Sequence, residues 1–568
     1  MSLPSLLLSI LLFFGLIFGL GLPWVAAWMF SSVEKLAIGA ACGVVQIYGF
    51  AWVVYGLSLP PTAFFALPLL AIIVSWIRRR RLAVFLGESD IRSLLGRHLL
   101  FTAWCVGFLT LVRSYGGGEW GPDWNEHYQR ALFFLQHQPL ETRFCDVYTL
   151  PARPPLANLV TGACMAMTGT DFAHFQVFNT LFSTLLFLPA ILLTRHFSAG
   201  GVHGDAGLLL IFMLNPLVLQ NSTFAWTKFL TAFFVLLAVA IYVRGLGEAA
   251  PERRILAAGL MAAAILTHYS SGPFAVGLAA TQLVLAWSHR GQRSMGRELL
   301  LQALLAGAVL ASWFAWSVAR YGLHETFLSN PTATVDSSLS PLTWVERRLS
   351  NIFVTFIPHP FHPVDYRFIA QTSSIGYVRD YCFNIYQTTL PGAFGTAGLV
   401  LLSWKLLYRD PPAAMPTEQR FWNWFPAGVI LLGIMTASWL DRWGVAHICL
   451  SALVVIGLAW CAARLPTAPA AVRHLWMAAL GIDATLGIAI HFYLQGIIRP
   501  DFTMLPFINT GTVFPYGLVT TKNILLKSIL GYNFVADGGP APPLVITLLV
   551  MLLVLATKQA LSSFRPAR

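Results

Sequence analysis

An all-α polytopic bundle of about 13–15 transmembrane helices, with outer loops carrying short interfacial helices, is the fold class that the sequence predicts. Three observations predict it. Hydrophobic residues make up 57% of the 568-residue chain and charged residues 11%, with a mean hydropathy of +0.68, outside the range of soluble domains. Apolar runs of roughly 15–25 residues recur from end to end, each matched to a hydrocarbon core about 30 Å thick. The formal net charge of +12 is unevenly spread. When the run Arg78 to Arg81 is placed in the cytoplasm, every later loop alternates so that the positive excess falls inside and the outer loops are balanced. No basic stripe with interleaved aromatics is left to suggest a nucleic-acid partner.

The elements follow in chain order. Residues 1–97 read as N-terminal transmembrane helices with a cytoplasmic basic loop. The opening apolar run lacks the basic n-region of a signal peptide and is longer than a usual h-region, so it reads as a retained helix. Residues 98–319 form a transmembrane core with crossings expected near 98–113, 171–194, 206–220, 229–243, 256–268, 273–288 and 298–319. Its first outer loop, 114–170, is too long for a simple connection. A second outer loop spans 320–390. Residues 391–568 supply C-terminal transmembrane helices and a third outer loop, 494–540. No internal repeat and no low-complexity linker interrupts this order.

The first outer loop concentrates acid, base and aromatic residues in Gly118 to Gln136, where Glu119, Asp123, Glu126, His127 and Arg130 interrupt an otherwise apolar chain. Trp124, Tyr128, Ala131, Leu132 and Leu135 recur at helical spacing, which predicts an interfacial helix. Asp123 with Glu126 three residues on has the form of a helix-capping pair. The same acid can also serve as a general base. Further along, Arg153 precedes Pro154 and Pro155 and then an apolar helix, Leu156 to Thr168, expected to lie along or dip into the outer interface. Arg153 reads equally as a lipid-headgroup anchor and as a phosphate ligand. An acid and a guanidinium on one outer loop suit transfer from a phosphate-linked donor to a hydroxyl acceptor: the carboxylate takes the hydroxyl proton and the guanidinium stabilises the departing phosphate.

In these residues the chain resembles the GT-C superfamily of polyprenyl-phosphate-dependent glycosyltransferases, close in pattern to protein O-mannosyltransferases and lipid A aminoarabinose transferases. The resemblance rests on an acid soon after a transmembrane helix, then a short helix, then "RPPL" at Arg153 to Leu156. The later stretches "LNPLVLQNSTFAWTKFLTAFF" and "LTHYSSGP" continue it. It covers about residues 113–275. It implies Asp123 and Glu126 as catalytic acids and Arg153, Lys228 and His268 as donor-phosphate ligands. The two acids here are not adjacent, as they often are in that superfamily, Lys228 stands where many members have an acid, and His268 where a Lys is common. It further implies a polyprenyl-phosphate-linked sugar donor, a lipid, glycan or protein acceptor, and an extracytoplasmic site in a bacterial inner membrane. Some members use a divalent cation, which is thus an optional cofactor; no soluble-cofactor motif is present.

The second outer loop offers His127's counterparts for substrate contact: Arg347, Arg348, His359, His362, Asp365 and Arg367. Pro360 and Pro363 break the helix that a paired-histidine metal site needs, so substrate contact is the better reading. Asp483 falls inside an apolar span, where an acid is functional unless an internal partner makes it structural. Of seven cysteines, only Cys145 and Cys382 share an outer position that permits a bridge. Asn221-Ser222-Thr223 matches a glycosylation sequon but abuts a helix end. Two rival functions stand beside transfer near Asp123: an O-antigen ligase or polymerase working from the 320–390 loop, and a lipid-linked sugar transporter or flippase, which calls for broken helices with polar groups at the midplane.

Overall fold

The computed structural model describes residues 1–113, 115, 121–144, 148–198, 201, 204–328, 340–357, 378, 382, 386, 389–407, 416–436, 450–495, 535–536 and 539–563, with residues 121–123, 416–417, 450 and 491–492 described by backbone alone. Among the described residues the chain is helical, with a single isolated antiparallel bridge, Phe144 to Tyr148. Nine helices among the described residues are long and apolar enough to cross a membrane, or up to eleven when two bent pairs are each taken as one span. The chain is an integral multi-pass membrane protein. The crossings expected at 256–268 and 273–288 are helices of 17 residues each, one turn short of a full hydrocarbon span.

The N-terminal part runs through α1 (Leu3–Val25), α2 (Ser32–Gly56), α3 (Ala66–Ile77), α4 (Arg79–Gly87) and α5 (Ser89–Leu111). Two features of sequence set α1 against α2. Ser31 and Glu34 form a reciprocal capping box that starts α2, and small residues let the two backbones meet. A Cβ built on Gly21 would sit 1.8 Å from the Gly39 carbonyl oxygen and one on Gly43 2.1 Å from that of Ile17, so any side chain there would push the helices apart. Several basic residues pair with acids, most of them across loops. Glu34 receives Arg244 and Arg253, Glu298 receives Arg254, and Asp205 receives Arg97 and Arg195.

The core continues through α6 (Gly121–Gln136), α7 (Leu156–Thr168), α8 (Phe172–Thr184), α9 (Phe187–Phe197), α10 (Asp205–Leu214), α11 (Pro216–Thr223), α12 (Lys228–Gly247), α13 (Pro251–Thr267), α14 (Gly272–Ser288) and α15 (Arg293–Phe327). Every residue of α7 from Leu156 to Met165 is buried, so this segment dips into the protein against α2, α6 and α8. Asn221 of the sequon is buried within α11.

Two helix breaks interlock. The span expected at 206–220 bends by 68° between α10 and α11, where Pro216 lacks the N–H to continue the ladder. The Leu390–Leu407 helix breaks at Gly395, whose φ of 67° and ψ of 172° leave the helical region. Asn215 joins the two: its Oδ1 accepts from the Val218 N–H at 3.0 Å, and its Nδ2 donates to the carbonyls of Ala393 and Phe394 at 3.0 and 2.9 Å. From the Ala470–Ala489 helix, Asp483 accepts from the N–H groups of Thr396 and Ala397 at 2.7 and 2.8 Å. The intramembrane acid thus has a backbone-capping role. Asp483→Leu should leave both N–H groups without an acceptor, at about 1–3 kcal/mol each, and lower the thermal unfolding midpoint in detergent, with Asp483→Asn less affected because one acceptor oxygen survives. An unchanged midpoint for the Leu form would show that the cap contributes nothing.

Candidate functional site

The site is built on α6 and the segment that returns from it to α7. Pro122 suits the first turn of α6, because its missing N–H needs no partner there and its φ is already helical. The helix ends at His137, which takes a left-handed φ of 48°, while the Gln138 N–H reaches back to the Phe133 carbonyl at 3.2 Å, a helix-closing pattern. The ring of His137 stacks on Tyr55 with centroids 5.5 Å apart. The return segment is pinned by the Phe144 to Tyr148 bridge and by a 3₁₀ turn at Leu150–Ala152.

Glu126 and Arg130, four residues apart, share one side of α6 and meet inside the protein. Arg130 Nε donates to Glu126 Oε1 at 2.9 Å, Nη1 to the Leu150 carbonyl at 2.7 Å and Nη2 to the Thr149 carbonyl at 2.9 Å. Arg153 approaches the other carboxylate oxygen, Nε to Oε2 at 3.4 Å. Glu126 is 1% exposed, Arg130 0% and Arg153 4%, so these charges meet with little water between them. Each guanidinium also lies over one aromatic face of the return segment. Arg130 is 4.3 Å from the Phe144 ring centroid and Arg153 5.2 Å from that of Tyr148, distances at which the ring quadrupole attracts a cation.

The electrostatic balance is one carboxylate against two guanidiniums. Burial alone would raise the Glu126 pKa, but the attraction of Arg153 and then Arg130 outweighs it and holds the carboxyl below its ordinary range. Burial pushes His127 down to about 4, so at neutral pH its ring carries no charge. Its Nδ1 donates to Asn158 Oδ1 at 3.0 Å, which fixes the tautomer. Glu126 thus accepts from both arginines, one at each carboxylate oxygen.

The other expected residues fall in three places. The backbone of Asp123 lies in the first turn of α6, one turn before Glu126, which puts both on one side of the helix; its side chain is outside the described residues. Lys228 opens α12 with its Nζ 3.6 Å from the Trp226 ring centroid. His268 Nδ1 accepts from the Ser270 N–H at 3.1 Å, starting the Tyr269–Ser271 turn. That turn packs against α12, and its Tyr269 Oη donates to the Pro151 carbonyl at 3.1 Å. The acid-bearing helix, the arginine segment and the His268 turn are thus brought together. Arg348 is placed elsewhere, with Nη1 donating to the carbonyls of Ile434 and Met435 at 2.7 and 3.0 Å, where a cation complements a helix C-terminus. Arg347 beside it is half-buried. His359, His362, Asp365 and Arg367 lie outside the described residues, as does Cys145, while Cys382 is a free thiol. Among the described residues no group of three or more His, Cys, Asp or Glu could hold a metal ion.

Sequence reasoning noticed Arg130 but gave it no role, and it missed Asn158, Tyr148 and Tyr269. Only Arg130 carried a usable signal, its four-residue spacing from Glu126 on a predicted helix.

No family model matches the chain, and no curated protein matches it. Among solved structures it is similar to ArnT from Cupriavidus metallidurans bound to undecaprenyl phosphate, at 13% sequence identity and a TM-score of 0.46, over 83% of this chain and 78% of that one. It is similar also to ArnT from the same organism in the apo state, at 13% identity and a TM-score of 0.45, over 82% and 78% of the two chains.

Proposed function

We propose that this chain is a membrane glycosyltransferase that moves a sugar from a polyprenyl-phosphate donor to an acceptor hydroxyl on the extracytoplasmic face. The observation that carries the reading is the buried cluster of Glu126, Arg130 and Arg153, which gathers two guanidiniums around one carboxylate, one helical turn from Asp123. In the transfer, the acceptor hydroxyl gives its proton to Asp123 and its oxygen forms the new bond to the sugar's anomeric carbon. The bond from that carbon to the phosphate oxygen breaks, and its electron pair leaves with the phosphate. Arg153 meets the charge that develops there, aided by Lys228 and His268 from the neighbouring turn. Glu126 fixes the direction of the Arg153 guanidinium, which costs no reorganisation at the moment of transfer. A lipid-linked donor follows from position, since nucleotide sugars are cytoplasmic.

The test uses purified protein in liposomes with a labelled polyprenyl-phosphate sugar and asks whether label leaves the lipid. Arg153→Lys should keep part of the donor affinity, because a point charge survives. Arg153→Gln should lose about 2 kcal/mol, roughly thirty-fold, with one charge-assisted hydrogen bond. Both are compared at matched amounts of folded protein. Equal donor affinity in wild type, Lys and Gln forms would return Arg153 to a headgroup anchor and remove the phosphate clamp.

A further inference from the structure

A second cationic feature lies far along the chain from this cluster. A groove of about 580 Å³ runs between α1 and α3, lined by Leu11, Gly15 and Gly19 on one side and Ala71, Ile72 and Trp76 on the other, and it closes on Arg79. Ser75 Oγ donates to the Gly19 carbonyl at 3.1 Å, which holds the two helices together at this level. Gly15 leaves the groove open, since a Cβ built there would meet nothing within 4 Å. The volume is within the range of sites that take small organic ligands.

The mouth of the groove is charged. The chain turns by 81° between α3 and α4, and the turn carries Arg78, Arg79, Arg80 and Arg81, the last three exposed. Arg79 is held at the end of the groove: its guanidinium lies 4.5 Å from the Trp76 ring centroid, and Nη1 donates to the Trp76 carbonyl at 3.1 Å. No arginine of the four is in an ion pair with another described residue. The acids that follow them are already engaged, Glu88 by the Ser32 hydroxyl and Asp90 by Arg195. The fold thus joins an apolar slot to four cations for which the described residues provide no anion.

We propose that this groove is a binding site for one anionic phospholipid, with an acyl chain between α1 and α3 and the headgroup phosphate on the Arg78 to Arg81 turn. Charge complementarity selects the occupant. Each arginine near an anionic headgroup favours binding about five-fold, whereas a zwitterionic lipid brings a cation of its own to the same turn. A general attraction to the leaflet would need the arginines alone, and a defined site needs the groove as well.

Native mass spectrometry of the purified protein in mixed micelles of phosphatidylglycerol and phosphatidylcholine separates the two. Wild type should retain one phosphatidylglycerol in preference to phosphatidylcholine. Gly15→Leu fills the slot with all four arginines intact and should lose that retained lipid at an unchanged unfolding midpoint. Arg79→Gln should lower the preference about five-fold. Leu11→Trp, one turn away on α1 at a position 72% exposed, blocks the same slot and gives the same readout if the Gly15 variant folds poorly. Equal retention of the two lipids by wild type, or undiminished phosphatidylglycerol on both slot-filling variants, would overturn the site.

Discussion

Asp123→Asn should lose about 100- to 10,000-fold in turnover, the usual contribution of a general base, while the purified protein stays folded. The amide keeps an oxygen that can cap α6, so the first turn of the helix survives, but it cannot take a proton. The comparison is made by release of labelled sugar from the lipid donor at equal amounts of folded protein, with donor binding measured alongside. Donor affinity should change little, since the phosphate ligands are elsewhere. Near-normal turnover would reduce Asp123 to a cap and move the search for the base to other acids of the outer loops.

Glu126→Gln has the largest expected effect on stability. Arg130, fully buried, would lose the carboxylate it pairs with, and removing one partner of a buried pair costs about 3–5 kcal/mol. The thermal unfolding midpoint in detergent measures it. Adding Arg130→Met should recover part of the loss, because the stranded Arg130 cation is removed; a double variant no better than the single one would show that the carboxylate's charge is not what matters. The pH dependence has a definite sign. Because the folded-state pKa of Glu126 is depressed, its stabilisation is fully present above the unfolded value of about 4.3 and is lost as pH falls toward the folded value. His127 acts in the same direction over a higher window. Its folded pKa of about 4 is below the unfolded 6.5 or so, so the unfolded chain binds the extra proton between them and stability declines through that interval on acidification.

The bundle was legible because a hydrocarbon environment constrains sequence along the chain: long apolar runs and retained arginines are one-dimensional signals. The outer segment was legible in part. Helix α6 was visible in its apolar spacing, but that spacing does not say where the rest of the helix faces, and Asn125, Glu126, His127 and Arg130 are all buried. Arg130 lies against the Phe144 ring and the carbonyls of Thr149 and Leu150, and such carbonyls have no signature in a sequence. Asp483 was flagged as costly at its depth, correctly in physical terms. Its partners are two N–H groups exposed by a break some 87 residues earlier, which no local pattern announces. The sequon, already suspect for abutting a helix end, is buried at Asn221; that burial follows from packing of α11 and not from its neighbours in the chain.

The joint between the two broken helices has a consequence for how the protein is made. Asn215 and the carbonyl of Ala393 are 178 residues apart, a stretch that a ribosome takes roughly ten to forty seconds to produce at about 5–20 residues per second. For that interval the bend between α10 and α11 sits in the membrane with its asparagine amide waiting for acceptors not yet synthesised, and Asp483 arrives later still. The N-terminal helices can insert in order, but the kinked pair reaches its final hydrogen bonding only once the Leu390–Leu407 and Ala470–Ala489 helices have entered the bilayer, so a nascent chain stopped before them exposes a polar seam at this bend, open to membrane quality control.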